Sequence, residues 1–99
     1  MKKILLVCNA GMSTSMLVAK MKKAAQADGV EVSIEAKSLA DAKKEIQEAN
    51  IVLLGPQIRY ELENVKKPAG SVPVEAIDMR DYGMMNGEKV LKHAMEVMG

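Results

Sequence analysis

The stretch Lys2-Lys3-Ile4-Leu5-Leu6-Val7-Cys8-Asn9-Ala10-Gly11-Met12-Ser13-Thr14-Ser15-Met16-Leu17 decides the fold. Ile4 to Val7 is an apolar run without alternation, as expected of a strand buried on both faces. Gly11 and three hydroxyl residues then break the run, and Leu17, Met21, Ala24 and Ala25 recur at helical spacing with Lys20, Lys22, Lys23 and Gln26 on the rest of the wheel. Asp28-Gly29 ends that helix. A buried strand running through a short Gly/Ser/Thr loop into an amphipathic helix is the opening unit of an α/β domain.

The pattern repeats along the chain. Val30 to Ala36 alternates and reads as an edge strand with one wetter face. Ser38 with Asp41 resembles a capping box, after which Leu39, Ala42, Ile46 and Ala49 form one helical stripe. Ile51-Val52-Leu53-Leu54 is a second buried-type strand, stopped by Gly55-Pro56. Ile58, Leu62 and Val65 predict a short helix closed before Pro68-Ala69-Gly70. Val72 to Ile77 predicts a fourth strand at an edge, where Pro73 is tolerated. Val90, Leu91, Ala94, Met95 and Met98 predict a terminal helix with Asn86 as its N-cap. Short connections between strands and helices imply a parallel sheet with right-handed crossovers. The two edge-like strands favour the order 2-1-3-4, so residues 1–99 are expected to form one α/β domain, a four-stranded parallel sheet flanked by helices in the flavodoxin-like arrangement. Its switch point lies between the first and third strands, where ligands bind outside the carboxyl ends. The loops there begin at Cys8 and Gly55.

Composition limits the function. The 99 residues carry a formal net charge of +1, two tyrosines and no Phe or Trp. Neither a polyanion partner nor base stacking on aromatic platforms is indicated, and no nucleic-acid partner is expected. A single cysteine excludes an internal disulfide and any cysteine-rich metal site, and suits a reducing cytosol. The four-residue apolar run near the amino terminus is too short for a signal segment or a membrane span, so a soluble, intracellular chain is expected.

Cys8 is the one strong nucleophile at the switch point. Successive N–H groups in a tight loop and at a helix start favour an anion. Gly11 lets the backbone approach closely, and Ser13, Thr14 and Ser15 add hydroxyl donors. A cysteine at a strand end also serves as a small buried hydrophobe, and a Ser/Thr-rich loop also serves only to cap a helix. Position favours chemistry: a phosphoryl group on the Cys8 thiol, cradled by Asn9, Ala10, Gly11, Met12, Ser13, Thr14 and Ser15. The strand-loop-helix is similar to that of low-molecular-weight tyrosine phosphatases, whose pattern is Cys-x5-Arg-Ser/Thr. Here Thr14 stands where their phosphate-clamping arginine would be. Asp78 at the end of the fourth strand is the carboxyl on offer as a general acid, and nothing in the sequence pairs it with Cys8. The expectation is a phosphocysteine that is passed on rather than hydrolysed, with a phosphatase or thiol-dependent reductase on the same fold as the alternative.

Cys8 to Ser15, followed by Met16-Leu17-Val18, resembles the active-site loop of EIIB components of the bacterial phosphoenolpyruvate-dependent sugar phosphotransferase system (PTS), lactose/cellobiose (chitobiose) class. Val52 to Ile58 resembles that family's loop after its third strand, and Pro73 to Asp78 with Tyr82-Gly83 fits its fourth strand and the turn beyond. The resemblance implies an EIIA donor carrying phosphohistidine, Cys8 as the acceptor that becomes phosphocysteine, and a membrane EIIC that binds the sugar, a β-linked disaccharide such as cellobiose, chitobiose or lactose. It implies a cytoplasmic protein acting transiently at the inner face of the membrane without inserting, and no metal or cofactor. Gln57 and Tyr82 are crevice or partner contacts in this reading. Tyr82, Met84 and Met85 with Met12 would form an apolar rim suited to two successive partners, simple core packing being the other reading. His93, Arg59 and Arg80 read as surface residues, Arg59 with a further option of steering a phosphorylated partner.

Overall fold

A computed structural model describes residues 2–8 and 12–98, apart from the side chains of residues 12–14. The strands are β1 (Lys2–Cys8), β2 (Val32–Ser38), β3 (Ile51–Leu54) and β4 (Val74–Ala76), and the helices are α1 (Met12–Asp28), α2 (Leu39–Ala42), α3 (Leu62–Ala69), α4 (Met79–Gly83) and α5 (Gly87–Met98). All strand pairs are parallel in the order β2-β1-β3-β4, as expected. Register sets Cys8 beside Ser38 on one side, while Val7 faces Leu54 on the other.

The central strands are buried on both faces because helices cover both. Ile4, Leu6, Ile51 and Leu53 pack under α1 and α5 through Leu17, Met21, Val90 and Leu91. Leu5, Val7, Val52 and Leu54 pack on the opposite face with Ala42, Ile46, Ile58 and Val65. The apolar run of β1 therefore splits residue by residue between two cores. α1 and α5 meet closely at Gly87, where a Cβ would lie 2.7 Å from the Lys20 carbonyl carbon and the Met21 nitrogen. No larger residue fits there without moving a helix backbone.

Several local signals are realised as read. Gly29, at φ +69°, closes α1: Val30 N–H donates to the Ala25 carbonyl at 2.9 Å and Gly29 N–H to that of Gln26 at 3.3 Å. Ser38 Oγ accepts from Asp41 N–H at 3.3 Å at the start of α2. Asn86 Oδ1 accepts from Lys89 N–H at 3.1 Å at the start of α5.

Other elements depart from expectation. β2 begins at Val32 rather than Val30 and runs to Ser38. The helix expected over 39–49 is one turn of α2 followed by a 3₁₀ turn at Ile46–Glu48. Its stripe still faces the core, with Ala42, Ile46 and Ala49 buried. Glu45, at φ −116°, leaves the helical path, and its carboxylate is taken by Lys3 at 2.7 Å and by Lys37 at 2.5 Å across the sheet. α3 continues through Pro68 to Ala69. A proline in the last turn removes a single donor, and burial of Val65 and Ala69 holds the turn against that loss. β4 is three residues long, although Val52 N–H still donates to the Pro73 carbonyl at 2.9 Å and Ile77 N–H to that of Leu54 at 2.8 Å. The short helix α4 is additional, capped by Asp78 Oδ1 accepting from Arg80 N–H at 2.7 Å.

Candidate functional site

Cys8 is the last residue of β1 and is buried, with 4% of its surface exposed. α1 begins four residues later and lies on one face of the sheet, while the chain leaving β3 turns to the other. This divergence is the switch-point crevice expected from the strand order. Gly55 N–H donates to the Val7 carbonyl at 2.8 Å, extending the β1–β3 ladder one step beyond Leu54. That bond brings the loop after β3 against Cys8. A Cβ placed on Gly55 would lie 3.6 Å from the Cys8 Cβ, 3.6 Å from the Val7 oxygen and 2.9 Å from Gln57 Oε1. The structure thus brings together Cys8, Gly55 and the Gln57 carboxamide. Asn9, Ala10 and Gly11, with the side chains of Met12, Ser13 and Thr14, lie outside the described residues. Ser15 is exposed in the first turns of α1.

The remaining candidates fall elsewhere. Tyr82 is buried in the core beneath α1 and α5, with Met85 half-buried against the same cluster. Met84 is exposed. Asp78 is engaged as the cap of α4. Arg59 Nη1 donates to Met79 Sδ at 3.4 Å, joining the 3₁₀ segment Pro56–Glu61 to α4. His93 is paired with Glu75 of β4, Nε2 to Oε1 at 2.6 Å. That carboxylate raises the His93 pKa above its ordinary 6.5 despite opposing desolvation. A cavity of about 310 Å³ opens beside this pair, between β4, α4 and α5, with Leu53, Ile77, Asp81 and Val90 in its wall. Among the described residues, no group of three His, Cys, Asp or Glu gathers to hold a metal ion, and no helix is long and apolar enough to cross a membrane.

Sequence reasoning missed part of the surface. Among the described residues the exposed large hydrophobics are Met16, Tyr60, Met79 and Met84, of which only Met84 belongs to the apolar rim expected from the sequence. Each lies on a segment that follows a strand's carboxyl end: Met16 on α1 after β1, Tyr60 after β3, and Met79 and Met84 on and just after α4. Their common feature is topological, and it becomes visible only when each is assigned to the end of its strand.

The chain matches the family described as PTS system, lactose/cellobiose-specific IIB subunit, over residues 3–93. It belongs to that family. The oligo-beta-mannoside-specific EIIB component of Bacillus subtilis is 45% identical over 99% of this chain and 97% of its own length. The galactose-specific EIIB component of Lactococcus lactis subsp. cremoris is also 45% identical, over 98% of this chain and 96% of its own. Among solved structures, the cellobiose-specific phosphotransferase IIB component of Borrelia burgdorferi is 44% identical with a TM-score of 0.82, over 98% of this chain and 91% of that one. The lactose-specific IIB domain of Streptococcus pneumoniae, 17% identical, shares the fold at a TM-score of 0.81 over 96% of this chain and 95% of that one. The IIB chain is thus an EIIB component of a PTS phosphoryl relay. Such components are phosphotransferases and work with EIIA and EIIC partners.

Proposed function

We propose that Cys8 of this EIIB chain accepts a phosphoryl group from a phosphohistidine of EIIA and passes it to a sugar bound by membrane EIIC. The observation that carries the reading is the position of Cys8: the only cysteine, at the end of β1, in the switch-point crevice four residues ahead of the 17-residue helix α1. The Cys8 thiol first loses its proton to solvent. The thiolate attacks phosphorus, an S–P bond forms as the N–P bond breaks, and the electron pair returns to the imidazole. In the second step a sugar hydroxyl oxygen attacks phosphorus, the S–P bond breaks, the thiolate leaves, and the hydroxyl proton departs to a base of the EIIC site or to water. Loop N–H groups from Asn9 to Ser15 and the hydroxyls of Ser13, Thr14 and Ser15 hold the dianion in this scheme.

Threonine at position 14 supports relay over hydrolysis, since the bidentate arginine of the phosphatase pattern is replaced. The engagement of Asp78 as a helix cap points the same way. The exposed apolar residues beyond the strand ends supply a surface for two successive partners, and work at the cytoplasmic face of the membrane follows from the EIIC acceptor. The acceptor sugar is a β-linked disaccharide or a close relative. Relatives of equal identity are named for oligo-beta-mannoside, galactose and cellobiose, which supports assigning sugar choice to the membrane partner. Reconstitution tests the reading: vesicles carrying the cognate EIIC, supplied with phosphorylated EIIA, should form sugar phosphate only when this chain is added. Sugar phosphate formed equally well with Cys8→Ser would refute it.

A further inference from the structure

Gly55 is a glycine without a backbone reason to be one. Its φ of −60° and ψ of 146° are open to any L-residue, and a Cβ there would meet Cys8 and the Val7 carbonyl at an ordinary 3.6 Å. The one close contact is with Gln57 Oε1, at 2.9 Å. The missing Cβ therefore leaves room for the Gln57 carboxamide to fold back over Gly55. The same point lies within 3.6 Å of the Cys8 Cβ, so the carboxamide oxygen and that Cβ are at most about 6.5 Å apart, the two distances laid end to end. A phosphoryl group on Sγ extends from Cys8 by an S–P and a P–O bond, which is the scale of this gap.

We propose that Gln57 turns its carboxamide so that Nε2 donates a hydrogen bond to the phosphoryl group carried by Cys8, and that the absent Cβ at Gly55 leaves it the room to do so. The inference rests on the phosphocysteine reading and adds a specific donor on the β3 side of the crevice. A carboxamide suits a relay. It donates N–H to an oxyanion but neither releases nor takes a proton near neutral pH, so it serves neither as general base toward water nor as general acid toward the leaving thiolate. It thus stabilises the bound phosphoryl group, and the transfer state around it, without supplying hydrolytic chemistry. The side chain is exposed and, among the described residues, its carboxamide has no hydrogen-bond partner, so both N–H donors remain available to a ligand.

The test is a double-mutant cycle read through the phosphocysteine itself. Gln57→Leu removes the donor while keeping much of the side-chain volume. Gly55→Ala leaves the backbone unstrained and displaces the carboxamide. Both are exposed to phosphorylated EIIA, and the rate of Cys8 phosphorylation, the equilibrium phosphorylated fraction and the phosphorus NMR shift are measured, with thermal melts to establish folding. Each variant should lower the phosphorylation equilibrium about tenfold, the weight of one hydrogen bond to a charged group. The double variant should lose little more than either alone, because Gly55→Ala acts through Gln57. Gln57→Glu, which sets a carboxylate against the dianion, should lose more than Gln57→Leu. A wild type that takes up no phosphoryl group overturns the proposed function itself. A wild type that does, with Gln57→Leu within twofold of it and an unmoved phosphorus shift, overturns this inference alone, as do fully additive losses in the double variant.

Discussion

Gly87→Ala tests the packing that seats α1, the helix that begins beyond the Cys8 loop. The new Cβ would fall 2.7 Å from the Lys20 carbonyl carbon, the Lys20 Cβ and the Met21 nitrogen. Two of these are backbone atoms in the middle of α1, which cannot rotate away, so α5 must shift outward by a substantial fraction of an ångström. That shift loosens the contacts of Val90, Leu91 and Ala94 with Leu17, Met21 and Ala25. Overpacking of this kind costs about 1–3 kcal/mol. The better helix propensity of alanine returns less than about 1 kcal/mol. A net loss near 1–2 kcal/mol lowers Tm by roughly 5–15 °C in a domain of this size. Urea and thermal denaturation followed by circular dichroism measure it. Gly83→Ala is the control: a Cβ there meets nothing within 4 Å, so its stability should hold or rise slightly. A Gly87→Ala protein as stable as wild type, or more stable than the Gly83→Ala control, would refute the close α1–α5 contact.

Three further outcomes are expected. Glu45 has its pKa lowered, first by the hydrogen bond from Lys3 and then by that from Lys37, so its contribution to stability is full above the unfolded value near 4.5 and is lost as pH falls through the lower folded value. Comparing urea midpoints near neutrality and in acid should show Glu45→Gln less acid-sensitive than wild type, and an unchanged pH dependence would remove Glu45 as the clasp of the 39–49 segment. His93 has a raised pKa, so its pairing with Glu75 stabilises the fold below about 6.5 and fades as pH rises through the folded value. NMR titration should give a His93 pKa above that of Glu75→Gln, and equal values would contradict the pairing. Tyr60→Ala, at a residue 71% exposed, should leave Tm unchanged yet raise the KM for a phosphorylated EIIA donor about tenfold, whereas an unchanged KM would take Tyr60 out of the docking surface.

Much of the fold was legible because its signals are local. Ile51–Leu54 was bounded correctly because a continuous apolar run meets Gly55-Pro56, and α1 ended correctly because Asp28-Gly29 carries its own left-handed cap. The caps Ser38 and Asn86 act within three residues of themselves. What escaped depends on contacts between distant segments. The break at Glu45 follows from partners 42 and 8 residues away, and His93, exposed as its helix neighbours imply, has a partner in Glu75 that lies on another element. The stripe Leu39-Ala42-Ile46-Ala49 was read on the correct face but as too long a helix, since a 3₁₀ turn keeps nearly the same face. At the site, the switch-point logic located Cys8 without side-chain detail, and Gln57 was singled out with it. The fit of the Gln57 carboxamide over Gly55 needed coordinates, because glycine at an ordinary φ carries no signal in a sequence.

The most direct test of the relay is the intact mass of this chain after incubation with phosphorylated EIIA, alongside Cys8→Ser. Wild type should become heavier by one phosphoryl group, with the adduct mapped to Cys8 and transferred away when EIIC membranes and sugar are added. A wild-type mass unchanged by an active cognate donor, or an equal adduct on Cys8→Ser, would contradict a phosphoryl group carried on the thiol of Cys8.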